Sequence, residues 1–161
     1  MEYNVSFPGF GLDFTISPVA FSIGTYHIYW YGLIIASGLL LAVLYAWKSS
    51  PRYNVDFNKL VNCILVGIVT GIIGARLYFC FFQWDYYSKN PIEILYINNG
   101  GLAIYGGIIG ALAGGLTVAK IQKMKILPIL DIAMIGFLLG QGIGRWGNFT
   151  NQEAFGIPTN L

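Results

Sequence analysis

The 161 residues are 56% hydrophobic and only 10% charged, with a mean hydropathy of +0.64, which is too apolar to be covered by a water-compatible surface. The net charge is +2, and the lysines and arginines are scattered at segment ends with no continuous stripe, which excludes the electrostatic footprint of a nucleic-acid binder. The composition predicts an integral membrane protein, and four apolar segments along the chain make it an all-α one with about four transmembrane helices.

The chain opens on residues 1–26, which mix aromatics with Pro8, Pro18 and glycines and keep no sustained period. This reads as an interfacial segment at the outer membrane surface, with at most a short turn of helix. Glu2 is present and no basic residue precedes Lys48, so the positive n-region of a cleavable signal peptide is missing and the first span is expected to remain in the protein.

Four apolar segments follow: His27 to Trp47, Leu60 to Phe82, Gly101 to Ala119, and Pro128 to Gly144, together a bundle over residues 27–144. The first two are long enough to cross a hydrocarbon core of ~30 Å, and the last two are short enough to stand nearly upright. Pro128 suits a first helical turn, and Asp131 is expected in that turn, where a carboxylate complements the helix dipole.

Cys63 and Cys80 lie 17 residues apart in the second segment. That separation is roughly 25 Å along a helix, so they cannot pair with each other and read as small buried thiols. With His27 as the only histidine and no Cys/His cluster, neither a metal nor any other cofactor is expected.

Orientation follows from the basic residues. Lys48, Arg52 and Lys59 follow the first segment, and Lys120, Lys123 and Lys125 follow the third, so both loops are predicted in the cytoplasm. The loop after the second carries only Lys89 against Asp85 and Glu93. The N-terminus is then outside, and so is the end of the fourth segment. Small residues recur every fourth position as Gly67, Gly71, Ala75, then Gly106, Gly110, Gly114, then Gly136, Gly140, Gly144, which predicts close helix packing in lipid.

The fourth segment runs directly into GQGIGRWGNFTNQEAFG, where Arg145 is flanked by Gly144 and Gly147 and followed by Asn148, Asn151 and Glu153. Residues 145–161 are expected to be an irregular extracytoplasmic loop. Arg145 cannot lose its charge and needs an anion, supplied by Glu153 or by a lipid phosphate. Its plainer alternative is an ordinary headgroup anchor. The spacing of Gly144, Arg145, Gly147, Asn148, Phe149, Asn151, Glu153 and Gly156 resembles the signature of the bacterial prolipoprotein diacylglyceryl transferases.

The resemblance implies a polytopic enzyme of the bacterial inner membrane with its active face outward. Such enzymes transfer the diacylglyceryl group of phosphatidylglycerol to the lipobox cysteine thiol of secreted prolipoproteins. It also implies further helices beyond Leu161, and with them a second essential arginine, so the chain is expected to be truncated.

Carried over by position, the resemblance ties Tyr31 in YWYGL and Tyr105 in GGLAIYGG to the active site, as candidates with Glu153 for thiol activation. Many family members have histidine in place of Tyr105. As residues alone, both tyrosines also fit the aromatic belt of a membrane interface. Asn148 and Asn151 can donate to phosphate or glycerol oxygens, and Glu153 can orient Arg145 or accept a proton. Arg76 follows Gly74 and Ala75 in a pattern the family shares. It lies roughly 9 Å inside the outer boundary, an intramembrane charge that by default is functional. It joins Arg145, Asn148 and Asn151 as a predicted phosphatidylglycerol contact, the alternative being outward snorkelling to Glu153 or Asp85. A non-catalytic phospholipid-binding scaffold and a small transporter are the competing classes; no pair of broken helices in two halves supports the latter.

The charge asymmetry makes a direct prediction. Cysteine placed at Ser50 or Lys123 is shielded from an impermeant thiol reagent in intact cells, and cysteine at Ser88 or Thr159 is labelled. The reverse pattern would invert the topology.

Overall fold

The computed structural model describes residues 2–97 and 100–154; Gly156 of the signature, Thr159 and Leu161 lie outside the described residues. Among the described residues, four helices are long and apolar enough to cross a membrane: α1 (Trp30–Ser49), α2 (Phe57–Phe82), α4 (Ile104–Ile121) and α5 (Ile126–Asn151). A four-residue helix α3 (Trp84–Tyr87) and a 3-10 turn (Pro91–Leu95) lie between α2 and α4. The chain divides into two compact units, Met1–Ser49 with Asp131–Leu161, and Ser50–Leu130.

The first unit opens on two antiparallel hairpins, a correction to the irregular segment expected there. Strands β1 (Tyr3–Phe7) and β2 (Leu12–Ile16) pair in the register Tyr3 to Ile16 and Phe7 to Leu12. Strands β3 (Val19–Ile23) and β4 (Tyr26–Tyr29) pair from Ile23–Tyr26 back to Val19–Tyr29. Each turn uses a glycine where an L side chain would be strained: Gly11 and Gly24 both have φ of +62°. The second connection is the two residues Gly24 and Thr25, with glycine first, as a type II′ turn requires. Across the strands Phe7 stacks on Phe14 at 6.1 Å, and the Ser22 hydroxyl lies 2.7 Å from His27 Nδ1. The alternation is present in the first hairpin, Tyr3, Val5 and Phe7 against Asn4 and Ser6, then Leu12, Phe14 and Ile16 against Asp13 and Thr15, but in runs only five residues long it does not stand out as a sustained period.

Because β4 uses Tyr26 to Tyr29, α1 begins at Trp30, whose N–H donates to the Pro18 carbonyl at 2.9 Å. Residues of α1 meet glycines of α5 in antiparallel order. A Cβ built on Gly136 would stand 3.4 Å from the Ala42 methyl, one on Gly144 3.5 Å from Ile35, and one on Gly147 2.9 Å from the Tyr31 ring. Gly38 returns the contact, its Cβ position falling 3.3 Å from Ile143. The glycines at 136, 144 and 147 therefore act as seats for α1 side chains. Helix α5 starts two residues before Pro128, so the proline falls inside the first turn, where N–H groups are unpaired in any case. Asp131 is correspondingly beyond that turn and exposed, a correction to its expected dipole role.

In the second unit Asp56 caps α2, its carboxylate accepting from the N–H groups of Asn58 at 2.9 Å and Lys59 at 3.4 Å. Helices α2 and α4 then run antiparallel with their backbones in contact. A Cβ on Gly74 would meet the Gly106 carbonyl, one on Gly106 the Gly74 carbonyl, one on Gly110 the Thr70 carbonyl, and one on Gly114 the Thr70 hydroxyl. Such approach gains dispersion and weak Cα–H···O contacts, which are what hold helices together in lipid. Cys63 and Cys80 are both free and buried, as expected, with the Cys63 thiol 3.9 Å from the Met124 sulfur.

Ser50 is only 1% exposed, so shielding of a cysteine there reports burial as well as sidedness; the exposed Lys123 and Ser88 are the discriminating positions. The glycine contacts predict a contrast. Gly110→Ala is expected to destabilise the protein by about 1–3 kcal/mol through overpacking. Gly142, with nothing within 4 Å of its Cβ position, should accept alanine with no loss, or with a gain of up to ~1 kcal/mol in helix propensity. Thermal unfolding of the two variants in detergent checks both.

Candidate functional site

The signature begins on a helix. α5 continues past Gly144 through Arg145, Asn148 and Asn151, which corrects the loop expected from residue 145 onward. The stretch contains no proline, and its glycines are used in packing against α1. It closes in a Schellman arrangement: the Glu153 N–H donates to the Asn148 carbonyl at 3.0 Å and the Gln152 N–H to the Phe149 carbonyl at 3.2 Å. Gln152 takes the left-handed conformation usually given to glycine, φ +52°, and its side-chain amide donates to the same Phe149 carbonyl at 2.7 Å. Ala154 is also left-handed, at +54°.

This ending folds Glu153 back over the last turn. Its Oε1 accepts from the side-chain amides of Asn148 at 3.3 Å and Asn151 at 3.4 Å, residues one turn apart on α5. Glu153 thus orients the two asparagines. Arg145, which it was expected to hold, is exposed, and its side chain has no hydrogen bond or ion pair to any described residue. A guanidinium at this position retains its five N–H donors for an outside acceptor. Tyr31 lies on Gly147, two residues from Arg145, because glycine leaves room for its ring. Tyr31, Arg145, Asn148, Asn151 and Glu153 therefore belong to the same end of one unit.

The other two predicted residues belong to the second unit. Tyr105 is the second residue of α4 and is 70% exposed. Arg76 is 7% exposed, and its partners are neither Glu153 nor Asp85. Its Nε donates to the Ile94 carbonyl at 2.9 Å, Nη1 to those of Gly100 at 2.9 Å and Gly101 at 3.0 Å, and Nη2 to those of Glu93 at 2.6 Å and Tyr96 at 3.0 Å. Five donors meet five carbonyl oxygens, and no N–H is left for a lipid phosphate, which corrects the lipid contact expected of this residue. The guanidinium carbon also sits 5.2 Å from the Tyr87 ring centroid and 6.0 Å from that of Phe79. A cavity of about 150 Å³ adjoins it, lined also by Gln83, Glu93 and Tyr96.

The acceptor segment escaped the sequence reading, because backbone carbonyls carry no residue signature. Its one visible sign is the pair Gly100–Gly101, both at φ +81°. Beside it the Tyr86 hydroxyl donates to Glu93 Oε2 at 2.7 Å, and that carboxylate holds the phenol's pKa above its ordinary value.

The sequence model described as prolipoprotein diacylglyceryl transferase matches residues 18–161. Among individual proteins, the chain is 47% identical over 141 residues to the phosphatidylglycerol–prolipoprotein diacylglyceryl transferase of Clostridium novyi, covering 88% of this chain and 55% of the relative. It is 48% identical over 143 residues to that of Finegoldia magna, with 89% and 58% covered, and 46% identical over 151 residues to that of Staphylococcus haemolyticus, with 94% and 53% covered. The chain spans about half the length of the curated relatives it matches. With a match over residues 18–161, the chain belongs to the prolipoprotein diacylglyceryl transferase family.

Proposed function

We propose that this chain carries part of the machinery that transfers a diacylglyceryl group from phosphatidylglycerol to the lipobox cysteine thiol of a prolipoprotein, at the outer face of a bacterial inner membrane. The names of its relatives describe that donor and that acceptor. The observation that carries the reading is Arg145, a cation at the exposed end of an apolar helix with no acceptor among the described residues. The outward orientation rests on the lysine and arginine asymmetry of the loops.

In this reading the precursor thiolate attacks the glyceryl carbon of the lipid. The new carbon–sulfur bond forms as the carbon–oxygen bond to phosphate breaks, glycerol phosphate leaves with the electron pair, and the thiol proton passes to a base. Arg145 binds the phosphate and stabilises the charge that develops on it, worth most where water is excluded. Gly144 and Gly147 seat Ile35 and Tyr31 of α1 next to Arg145, and leave its own exposed guanidinium uncovered. Asn148 and Asn151 have amide donors aligned by Glu153, and phosphate or glycerol oxygens can take those donors over. Glu153 and Tyr31 are the candidates in this unit for handling the thiol proton. Tyr105 is the candidate in the other unit, with a hydroxyl free of any described partner.

Arg145→Lys separates the proposal from a plain membrane anchor. In the complete enzyme lysine keeps the charge and loses the planar fork, so transfer of labelled diacylglyceryl to a lipobox peptide should fall by roughly a hundredfold, about 3 kcal/mol. Wild-type transfer by a normally accumulated variant would make Arg145 an anchor only. At position 105, phenylalanine should lower turnover roughly tenfold through loss of one hydrogen bond, and histidine should be tolerated. Full activity of Tyr105→Phe would return this residue to the interfacial belt.

A further inference from the structure

We propose that Arg76 is a positioning residue for Tyr105, acting through the segment that leads into α4. The inference rests on the reading of Tyr105 as a participant in transfer, and its observations are independent of that reading. All five acceptors of the guanidinium, the carbonyls of Glu93, Ile94, Tyr96, Gly100 and Gly101, belong to the stretch between α3 and α4. The last of them is four residues before Tyr105. Two residues after Gly101, the Ala103 N–H donates to the Ala75 carbonyl at 3.0 Å, so adjacent residues of α2 fix adjacent parts of the same approach to α4. At the start of the stretch the Tyr86–Glu93 bond adds a third fastening.

The clasp is tight. A Cβ on Gly101 would stand 2.5 Å from Arg76 Nη1 and 2.8 Å from the Phe79 ring, and the φ of +81° disfavours any L side chain there. For the guanidinium to shift and make room, it would have to give up bonds to the five carbonyls it now holds. Tyr105 in contrast is 70% exposed and has no hydrogen bond or ring contact with a described residue, so its hydroxyl stands where the first turn of α4 puts it. Whatever fixes that turn fixes the tyrosine. Lysine at position 76 offers three donors on one point and cannot reach five separated carbonyls.

The test uses the complete enzyme with Arg76→Lys, Gly101→Ala, Tyr105→Phe and the two double variants that contain Tyr105→Phe. Arg76→Lys and Gly101→Ala disturb opposite sides of one contact and should both lower kcat while leaving KM for phosphatidylglycerol near the wild-type value. Tyr105→Phe, costing roughly tenfold alone, should cost less than about threefold once either clasp variant is present, a coupling of contacting residues type transmitted through the segment. Losses that multiply fully, or a raised KM with unchanged kcat, would overturn the inference. Where Arg76→Lys does not accumulate, Gly101→Ala keeps the arginine and carries the test. An arm that needs no activity is the labelling rate of Tyr105→Cys by an impermeant maleimide. It should change in both clasp backgrounds while that of Ser88→Cys stays constant, and an unchanged rate at 105 overturns the proposal. If the unmodified complete enzyme shows no transfer, the proposed function fails, and the labelling arm still decides whether Arg76 places the start of α4.

Discussion

Lipid withdraws the force that packs helices in water. An apolar side chain is as well solvated by acyl chains as by another helix, so two spans hold together only where close approach gives dispersion and weak polar contacts that lipid cannot supply. Each unit meets this constraint with glycine, in different ways. Between α2 and α4 the glycines bring backbone to backbone, Gly74 against Gly106 and Gly110 against Thr70. Between α1 and α5 they make seats for side chains, Gly144 for Ile35 and Gly147 for Tyr31. Gly147 is the point where packing and the proposed chemistry meet, since the missing side chain admits the Tyr31 ring two residues from Arg145.

The spans were legible because hydropathy and length suffice to find a membrane helix, and the four segments read from the sequence lie within or overlap the four long helices observed. Their ends were less legible. α1 loses its first residues to β4, and α5 gains seven residues beyond Gly144. The two errors run in opposite directions, His27 to Tyr29 having been read as helix and the polar residues after Gly144 as an exit from one, and in both the backbone is governed by hydrogen-bond partners that the side chains do not announce. The hairpins were missed because an alternation such as Tyr3, Val5, Phe7 or Leu12, Phe14, Ile16 lasts only five residues, too short to register as a sustained period. Gly24–Thr25 was the readable sign, a glycine-first pair between two β-prone runs.

Of the candidate site, residue identities were legible and partnerships were not. Two arginines, both expected to meet lipid phosphate, prove opposite in kind. A guanidinium stays charged at any accessible pH, so each must find acceptors. Arg76 finds five carbonyl oxygens in its own unit, a neutral set whose dipoles stabilise the cation without cancelling it. Arg145 finds none among the described residues. Position along the apolar run was therefore a poor guide to role: the arginine read as lying inside its run is the satisfied one, and the one read as closing its run has donors with no described acceptor.

That Arg145, Asn148 and Asn151 stand on a helix has a consequence for the proposed chemistry. A flexible loop would have to order its polar groups each time a lipid arrived, losing rotamer and backbone freedom at that moment. On α5 the spacing of the three side chains is set by the helix itself, and Glu153, folded back by the left-handed Gln152, already holds both asparagine amides in place. The bonds are long, 3.3 and 3.4 Å, so an incoming phosphate or glycerol oxygen can displace them at small cost. The closing turn, with Gln152 and Ala154 at positive φ, is then the feature that holds a carboxylate against the two asparagines, at the helix end proposed to bind an anion, without letting it neutralise the arginine.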